Sequence, residues 1–479
     1  MPVKFIDYEV MDKGARDDIA LCLHLCTKIS PIPAQSGTVL DSEIACTREL
    51  PSQVAESAAY AADQLNALFD TSNFPVILLE LYYPAVNMAS PSILPANVLL
   101  SRRVQEMVIN GEEPESLYIC RDEKEDEDVP SPLAPIPIID LSLFSSSTLS
   151  TKREEELQKL KSALCSWGCF QCHMNTVRYQ EIRDAVTDSA NEYVKIRQPY
   201  YFLIKSTEME AIGHGIPSSF LDEIRQVTTE FFEQPMDEKK KYSKGVEDVQ
   251  GYGGDPTPEE GQFLDWQDRL FLTSYPEYLR DTKFWPESPK SFRNVLEYYT
   301  TKMRMVTELV SKSMAKSLQL EENCFLNQFG ERAALQVRFN YYPCCQKPEI
   351  VLGLKPHADG TGYTIILQDD VEGLQVLKEE HWFTVPTIPN ALLVLMGDQM
   401  EIMTNGMFKS PVHRVVTNKE KERTSIAVFY TPEKHKEIGP EDGLVNEERP
   451  RLFKKVKDYD ITHWEYYQRG RRALHTAEI

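Results

Sequence analysis

The sequence predicts an α+β protein in which helices precede an antiparallel β-roll or sandwich. In residues 220–232 and 291–318 apolar side chains recur at i, i+3, i+4 and i+7, which is the spacing of one helix face. After residue 331 the apolar period falls to two, as expected for strands. Short strands separated by turn residues then follow one another closely, an arrangement typical of rolls and sandwiches.

Charge and composition limit the kind of protein this is. The 479 residues include 52 Lys and Arg against 74 Asp and Glu, a net charge of −22, which argues against a nucleic-acid partner or an anionic membrane. We find no segment apolar and long enough to span a bilayer and none that resembles a signal peptide. Ten scattered cysteines suit reduced thiols, so we expect a cytoplasmic protein.

The N-terminal part of the chain carries few signals. Residues 1–87 show little periodicity and no recognisable chemistry, and the pattern becomes clearer after Met88. An acidic, proline-rich linker is expected at 121–137 because a run of like charges is usually a solvated segment. A first strand is predicted at 136–141 and an amphipathic helix at 153–164.

The later elements follow from turn residues and the period of two. A loop is expected at 251–261, which contains four Gly and two Pro. The predicted strands are 335–342, 363–368, 374–377, 382–385, 391–396, 412–416 and 424–430. The predicted turns contain Asp369-Asp370, Pro389-Asn390, Gly397-Asp398 and Asn405-Gly406.

Three residues in this region form a metal-ligand pattern. His357 and Asp359 make an H-x-D pair, and His413 follows in a different predicted strand. Two imidazoles and one carboxylate leave about three positions of an octahedral Fe(II) open for a co-substrate and O₂. We expect the H-x-D pair at the start of a strand, where both side chains can converge on one metal.

A cation and a hydroxyl follow the second histidine. Arg423 and Ser425 share one face of a predicted strand, as Asn340 and Tyr342 do in another. An arginine stays charged at physiological pH and offers a planar fork to a carboxylate. Arg423 and Ser425 are therefore candidates to bind the far end of a dicarboxylate.

Other histidines and cysteines give weaker patterns. One such pattern consists of Cys165, Cys169, Cys172 and His173. It does not have the spacing of a standard zinc site, and no second pair of ligands accompanies it. The histidines that we expect to be structural or solvent-exposed are His214, His381, His435, His463 and His475.

Six motifs together resemble one enzyme family. They are R-F-N-Y-Y-P (338–343), H-A-D (357–359), V-E-G-L-Q-V (371–376), G-D-Q-M-E-I-M-T-N-G (397–406), K-S-P-V-H-R (409–414) and R-T-S (423–425). In this order and spacing they resemble the plant 2-oxoglutarate and Fe(II)-dependent dioxygenases. The resemblance is nearest to the branch of norcoclaurine-synthase-like, senescence-related-type and codeine O-demethylase-like proteins.

The resemblance implies a double-stranded β-helix, or jelly roll, with an N-terminal helical portion packed against it. It implies that the three residues of the metal pattern bind Fe(II) and that 2-oxoglutarate chelates this iron. The C5 carboxylate would bind Arg423 and Ser425, with further hydrogen bonds from Asn340 and Tyr342. O₂ would be consumed with release of succinate and CO₂, and ascorbate is expected as a reductant.

The resemblance also implies a small-molecule substrate. Hydroxylation, desaturation or O-demethylation would fit, and the aromatic residues expected in the pocket favour an alkaloid, phenylpropanoid, flavonoid or hormone. We expect a monomer, and the net charge argues against a nucleic-acid or membrane partner. We expect Tyr363, Phe429, Tyr430 and the helical C-terminal sequence to line the pocket. Two alternatives stay open: a non-catalytic relative that binds iron or a partner, and an ascorbate-using oxidase that does not consume 2-oxoglutarate.

The chain departs from the family pattern in two places. W-G-x-F-Q normally runs directly into A-I-G-H-G-I, but residues 172–210 separate Gln171 from Ala211. We interpret this segment as a retained intron translated in frame, the alternative being a genuine looped-out insertion. Residues 1–87 are interpreted as a gene-model extension or a fused fragment. The expected divisions are 1–87, an N-terminal oxygenase region at 88–330, the oxygenase core at 331–435, and a C-terminal helical segment at 436–479.

Overall fold

The computed structural model describes residues 103–120, 131–145, 151–172, 215–245, 248–255 and 262–479. All of them belong to one unit, Leu94–Ile479. Residues 1–87, the segment from 173 to 210, His173 and His214 lie outside the described residues. Within the described ranges, no helix is long and apolar enough to cross a membrane.

The predicted helices at 153–164, 220–232 and 291–318 are confirmed. The α-helices in the described ranges are α1 (Val104–Ile109), α2 (Ser142–Ser145), α3 (Thr151–Ser166), α4 (Ser218–Phe232), α5 (Met236–Lys240), α6 (Phe292–Ser317), α7 (Cys324–Phe329), α8 (Asp398–Met403) and α9 (Tyr459–Gln468). Where only a turn was predicted at Gly397-Asp398, the chain forms α8, and Asp398 and Glu401 lie in its first turn. Acidic side chains there interact favourably with the helix dipole.

The predicted strands are confirmed, but several others were missed. Those in the described ranges are β1 (Ile138–Ile139), β2 (Cys169–Cys172), β3 (Gly251–Tyr252), β4 (Asp268–Tyr275), β5 (Ala334–Tyr342), β6 (Leu352–His357), β7 (Tyr363–Gln368), β8 (Leu374–Lys378), β9 (His381–Thr384), β10 (Leu392–Met396), β11 (His413–Val416), β12 (Arg423–Thr431), β13 (Glu437–Ile438) and β14 (Val456–Lys457). The first strand, predicted over 136–141, is only two residues long. The expected loop at 251–261 begins with β3.

One prediction about the H-x-D pair is wrong. His357 ends β6 rather than starting a strand, and Asp359 lies just beyond it. Pro356 has no N–H group, so it suits an edge strand, and β6 is at the edge of its sheet. The pair still lies where a strand gives way to a loop, which leaves both side chains room to converge.

The strands form two main sheets, with all pairs antiparallel except β1 with β2. In the described ranges the larger sheet has the order β1-β2-β10-β7-β12-β5-β4-β3, and the smaller one β6-β11-β8-β9. One apolar cluster joins the larger sheet to α3, α4 and α6, and a second joins the two sheets. The larger sheet is therefore buried on both faces, and its inner face forms the interior of the roll.

Candidate functional site

The three residues of the metal pattern come together at one point of the smaller sheet. Strands β6 and β11 are paired so that His413 lies opposite His357. The Oδ1 atom of Asp359 is 3.5 Å from His357 Nε2 and 3.7 Å from His413 Nε2. All candidate ligand atoms lie within 4.8 Å of one another, and no other such group occurs among the described residues.

Backbone carbonyls orient both imidazoles. His357 Nδ1 lies 2.8 Å from the Lys355 carbonyl oxygen, and His413 Nδ1 lies 3.2 Å from that of Pro411. When Nδ1 carries the proton and donates to a carbonyl, Nε2 keeps its lone pair for a metal. Burial and the neighbouring His357 imidazole lower the pKa of His413 to about 4, so His413 is neutral near pH 7.

The carboxylate of the group is ionised. Burial alone would raise the pKa of Asp359, but the two imidazoles and the hydroxyl of Thr364 together hold this pKa well below its usual range. Thr364 Oγ1 donates to Asp359 Oδ2. One carboxylate and two imidazoles form the two-histidine, one-carboxylate set of non-haem Fe(II) oxygenases. This donor set fits Fe(II).

The anion pattern lies on the inner face of the larger sheet. Strand β12 pairs with β5 so that Arg423 lies opposite Tyr342 and Ser425 lies opposite Asn340. All four residues are buried, with 3 to 5% of their surface exposed. The Asn340 Nδ2 group donates to Ser425 Oγ at 3.2 Å. The sequence pattern therefore predicted correctly which side chains share this face.

One nitrogen of the Arg423 guanidinium is left for a ligand. Its Nη2 donates to Gln368 Oε1 at 2.8 Å, and its Nε donates to the Val371 carbonyl at 3.1 Å. Its Nη1 is buried and makes no hydrogen bond to any described residue. A buried donor without a partner is costly, so this atom fits the carboxylate of a bound ligand. A 2-oxoglutarate carboxylate is such a group.

The phenol of Tyr342 provides a neutral neighbour. Burial raises its pKa, although Arg423 and Arg338 act in the opposite direction. The Arg423 guanidinium carbon lies 5.2 Å from the centre of the Tyr342 ring. A Cβ atom at Gly373 would lie 3.0 Å from Arg423 Cδ, so the glycine of V-E-G-L-Q-V lets Arg423 lie close to the backbone.

A second group of buried charges was missed in the sequence. Asp255 forms ion pairs with three cations, Lys244, Arg269 and Arg338. Each of the four side chains is at most 13% exposed. Arg338 Nε donates to Asn340 Oδ1 at 2.8 Å. Arg338 Nη2 lies 3.5 Å from Asp255 Oδ2 but, in the described part of the chain, has no hydrogen-bond partner. Strand alternation could have indicated this position, because Arg338 precedes Asn340 by two residues.

Two of the expected pocket residues are core residues instead. Tyr363 is fully buried and bonds to Ser311 and to the Thr307 carbonyl of α6. Tyr430 stacks on Phe329 with ring centres 4.2 Å apart. Both belong to the cluster between sheet and helices, because residues 363 and 430 are directly paired and project from the same face. Phe429 packs against the cluster between the two sheets.

The C-terminal helix α9 lies beside the metal pattern, as expected. His463 Nε2 is 2.8 Å from the Ala358 carbonyl oxygen, and the Tyr467 ring centre is 5.4 Å from that of His357. His463 therefore has a structural contact. The predictions for the other described histidines are confirmed, since His381, His435 and His475 are exposed.

The strand before the unusual segment is part of the larger sheet. Strand β2 pairs with both β1 and β10, and both pairings extend as far as Cys172. Burial raises the pKa of Cys169 and of Cys172 to about 12.

A two-histidine, one-carboxylate site in a double-stranded β-helix defines the class of non-haem Fe(II) oxygenases. The model of the 2OG-Fe(II) oxygenase superfamily matches residues 333–432, and the model described as non-haem dioxygenase in morphine synthesis N-terminal matches 209–288. Protein SRG1 of Arabidopsis thaliana is 35% identical over 370 residues, covering 76% of this chain and 92% of its own. The chain belongs to the 2OG-Fe(II) oxygenase family.

Further relatives and solved structures agree. Codeine O-demethylase of Papaver somniferum is 38% identical over 328 residues, which is 68% of this chain and 80% of that protein. The crystal structure of JOX2 in complex with 2OG, Fe and JA is similar with a TM-score of 0.64 and 30% identity, covering 79% of this chain and 98% of that one. The rice dioxygenase for auxin oxidation has the same fold, at a TM-score of 0.54 and 22% identity, over 71% of this chain and 98% of its own. This chain is accordingly an oxidoreductase that uses Fe(II) and 2-oxoglutarate.

Proposed function

We propose that His357, Asp359 and His413 bind Fe(II), and that the four paired residues of β5 and β12 bind 2-oxoglutarate. The observation that carries this proposal is the buried Nη1 of Arg423, which lacks a partner within the described residues although its neighbouring atoms are bonded. When bound, the iron and its co-substrate supply the oxidant from O₂, and 2-oxoglutarate is converted to succinate and CO₂. Ascorbate serves as a reductant.

The protein's own side chains hold the co-substrate and exclude water. Arg423 and the hydroxyl of Ser425 bind the C5 carboxylate, while the neutral phenol of Tyr342 and the amide of Asn340 complete the pocket. Their burial makes charge-assisted hydrogen bonds stronger than they would be in water. The carboxylate of Asp359 offsets part of the metal charge, and the fixed Nδ1 bonds of the histidines orient the Nε2 lone pairs.

The substrate that we propose is a small specialised metabolite or hormone that carries an anionic group. The relatives named above include a demethylase of codeine and an oxygenase crystallised with JA, which support a small metabolite or hormone. The anionic group is inferred from the charges around Arg338. Arg338 lies on the same strand face as Asn340. Among the described residues, the ion pairs of the cluster around it join three cations to one carboxylate, and Asp265 is a second carboxylate close enough to act on Arg338. Such an excess of buried positive charge is stabilised by an anionic ligand. Hydroxylation, desaturation or O-demethylation are the reactions that fit.

A panel of small acids and their methyl esters tests this substrate class. We expect 2-oxoglutarate-dependent succinate release to be much faster with an acid than with its ester. In Arg338→Gln, the ratio of the rate with the acid to the rate with the ester should be smaller. Faster turnover of esters than of acids would contradict the anionic substrate. Equal succinate release with acids and esters would refute the anionic substrate but would still support the assignment as an oxygenase.

The same assay separates the main proposal from its two alternatives. Turnover with ascorbate alone, without 2-oxoglutarate, would indicate an ascorbate-using oxidase. No turnover with any tested substrate, despite iron binding, would favour a non-catalytic relative. Succinate formation that requires added 2-oxoglutarate supports the oxygenase.

We also propose that this enzyme is a monomer located in the cytoplasm and that it has no nucleic-acid or membrane partner. The net charge of −22 argues against a nucleic-acid partner or an anionic membrane. Within the chain, we propose an N-terminal oxygenase region at 88–330, a core at 331–435 and a C-terminal helical segment at 436–479. Size-exclusion chromatography with light scattering tests the monomer, and a mass twice that of the chain would contradict it.

We propose further that residues 172–210 derive from a retained intron. The family model begins to match at residue 209, inside the last two residues of this segment, and β2 ends at Cys172, the first residue of the segment. Sequencing of transcripts tests the idea. We expect most transcripts to lack the segment, whereas a majority that encode it would contradict the proposal.

A further inference from the structure

Arg472, near the end of the chain, contacts two separate segments that lie next to metal-pattern residues: the start of α8, which is hydrogen-bonded to Asp359, and the residues just before His413. Its Nε and Nη2 atoms lie 3.1 and 2.8 Å from Asp398 Oδ1. The same Nη2 is 2.9 Å from Glu401 Oε2 and 3.0 Å from the Ser410 carbonyl oxygen. One guanidinium therefore joins the start of α8 to the segment just before β11. A planar fork with several donors is suited to such a bridge.

The first contact leads to Asp359. Asp398 is fully buried, and its backbone N–H donates to the Asp359 carbonyl oxygen at 2.7 Å. The hydroxyl of Tyr459 donates to Asp398 Oδ2 at 2.8 Å. Both carboxylate oxygens of Asp398 are thus bonded to residues near the end of the chain, Tyr459 and Arg472. These bonds fix the position of Asp398, and the backbone of Asp359 is fixed with it.

The second contact leads to His413. The N–H of Ser410 donates to Glu401 Oε2 at 2.8 Å, so the Ser410 backbone is fixed on both sides by Arg472 and Glu401. The next residue, Pro411, provides the carbonyl that orients the His413 ring. A displacement of Ser410 would therefore move the group that sets the direction of His413 Nε2.

The helix α9 adds a third connection from the same segment. His463 donates from Nε2 to the carbonyl of Ala358, the residue between the first histidine and the carboxylate. A Cβ atom at Gly360 would lie 2.1 Å from His463 Cγ, so this close packing requires a glycine. The docking of α9 and the contacts of Arg472 thus act on the same stretch of backbone.

We infer that Arg472 is a positioning residue that sets the separation of Asp359 and His413 and thereby the affinity and geometry of the metal site. The inference rests on the proposed function only for the assignment of the triad as the metal site. Groups that orient metal ligands typically change metal affinity by about 10-fold to 100-fold when they are removed. The Arg472 side chain acts through Asp398 and Ser410, and it does not touch the metal ligands itself.

The test is a titration of the metal-free protein with Co(II), followed by visible absorption, in the full chain. We expect Arg472→Gln to bind Co(II) about 10-fold to 100-fold more weakly than the unmodified protein, with altered d–d bands and an unchanged far-ultraviolet circular dichroism spectrum. Arg471→Gln is the matched control, because Arg471 is the adjacent, exposed arginine. A folded Arg472→Gln protein with unchanged Co(II) affinity and bands would overturn the inference.

A second variant decides the matter if Arg472→Gln does not fold. Arg472→Lys keeps a positive charge for Asp398 but lacks the fork that also reaches Ser410, so we expect it to bind Co(II) more weakly than the unmodified protein does, with shifted bands. Affinity and bands equal to those of the unmodified protein would contradict the inference. Asp359→Ala provides the reference for the proposed site, since Co(II) binding that survives this change would refute the triad rather than the role of Arg472.

Discussion

Arg423 lies directly opposite Tyr342 in the antiparallel pair of β12 and β5, with its guanidinium carbon 5.2 Å from the phenol ring centre. Two of its three nitrogens are bonded to protein oxygens, and the third, Nη1, is buried with no partner among the residues that the structure describes. The arginine is thus held in place before any ligand arrives. This preorganisation strengthens binding of a carboxylate, because the Arg423 side chain loses little conformational entropy when the ligand binds.

Replacement of Arg423 by alanine should weaken binding of 2-oxoglutarate. Loss of one partner from a buried, hydrogen-bonded charge pair costs about 2–5 kcal/mol, so the KM for 2-oxoglutarate should rise at least about 30-fold. Steady-state succinate release measures this effect. Arg451→Ala is the control, because Arg451 makes a more exposed ion pair with Asp442. An unchanged KM in Arg423→Ala would contradict the assignment.

Asp359→Asn tests the carboxylate of the metal site. The amide has nearly the same shape but no negative charge, so it should fail to offset the charge of Fe(II) between His357 and His413. We expect iron-dependent turnover to disappear, with the secondary structure unchanged by circular dichroism. Full activity in this variant, measured by succinate release with added Fe(II), would exclude Asp359 as a ligand.

Metal binding should also stabilise the folded protein. A ligand present at about 100 times its dissociation constant adds about 2.7 kcal/mol to the free energy of unfolding. Mn(II) added to chelator-treated protein should therefore raise Tm by several degrees, while the same addition to Asp359→Asn should not. An equal rise of Tm in both proteins would indicate that Mn(II) binds elsewhere.

The cluster around Asp255 should make stability depend on pH. Burial would raise the pKa of Asp255, but Arg269, Arg338 and Lys244 together hold this pKa well below its usual range. Stability from this carboxylate is therefore complete above its unfolded pKa of about 3.9 and is lost as pH falls below that value.

Asp255→Asn is the variant that measures this contribution. It leaves three buried cations without their anion, so the free energy of unfolding at pH 7 should fall by about 3–5 kcal/mol. Urea unfolding at pH 7 and at successively lower pH should show the difference from the unmodified protein shrinking below about pH 4. A difference that stays constant with pH would contradict an ionised Asp255.

Local patterns predicted much of the fold and the composition of the site. The strand at 363–368 has the bounds that alternation and turn residues indicated, and Arg423 and Ser425 face the interior as their spacing required. Strand β6 was missed because it contains Gly353 and Pro356, residues that usually interrupt a strand, and is buried through most of its length. Such strands cannot be recognised from periodicity.

Long-range contacts explain what the sequence could not predict. The orientation of Tyr363 depends on which sheet face α6 covers, and alternation alone does not distinguish the helix side from the interior. Arg472 lies 74 residues from Asp398 along the chain, and no local pattern connects them. Pairings of this kind become visible only when the fold brings the two segments together.

The most direct test of the combined iron and 2-oxoglutarate site is an anaerobic titration with 2-oxoglutarate, followed by visible absorption. The Fe(II)-loaded protein should develop a charge-transfer band as the co-substrate chelates the iron. Arg423→Ala should need at least about 30-fold more 2-oxoglutarate for the same band, and Asp359→Asn should show none. A band of full intensity in Asp359→Asn, or an unchanged midpoint in Arg423→Ala, would contradict the assignment of these residues.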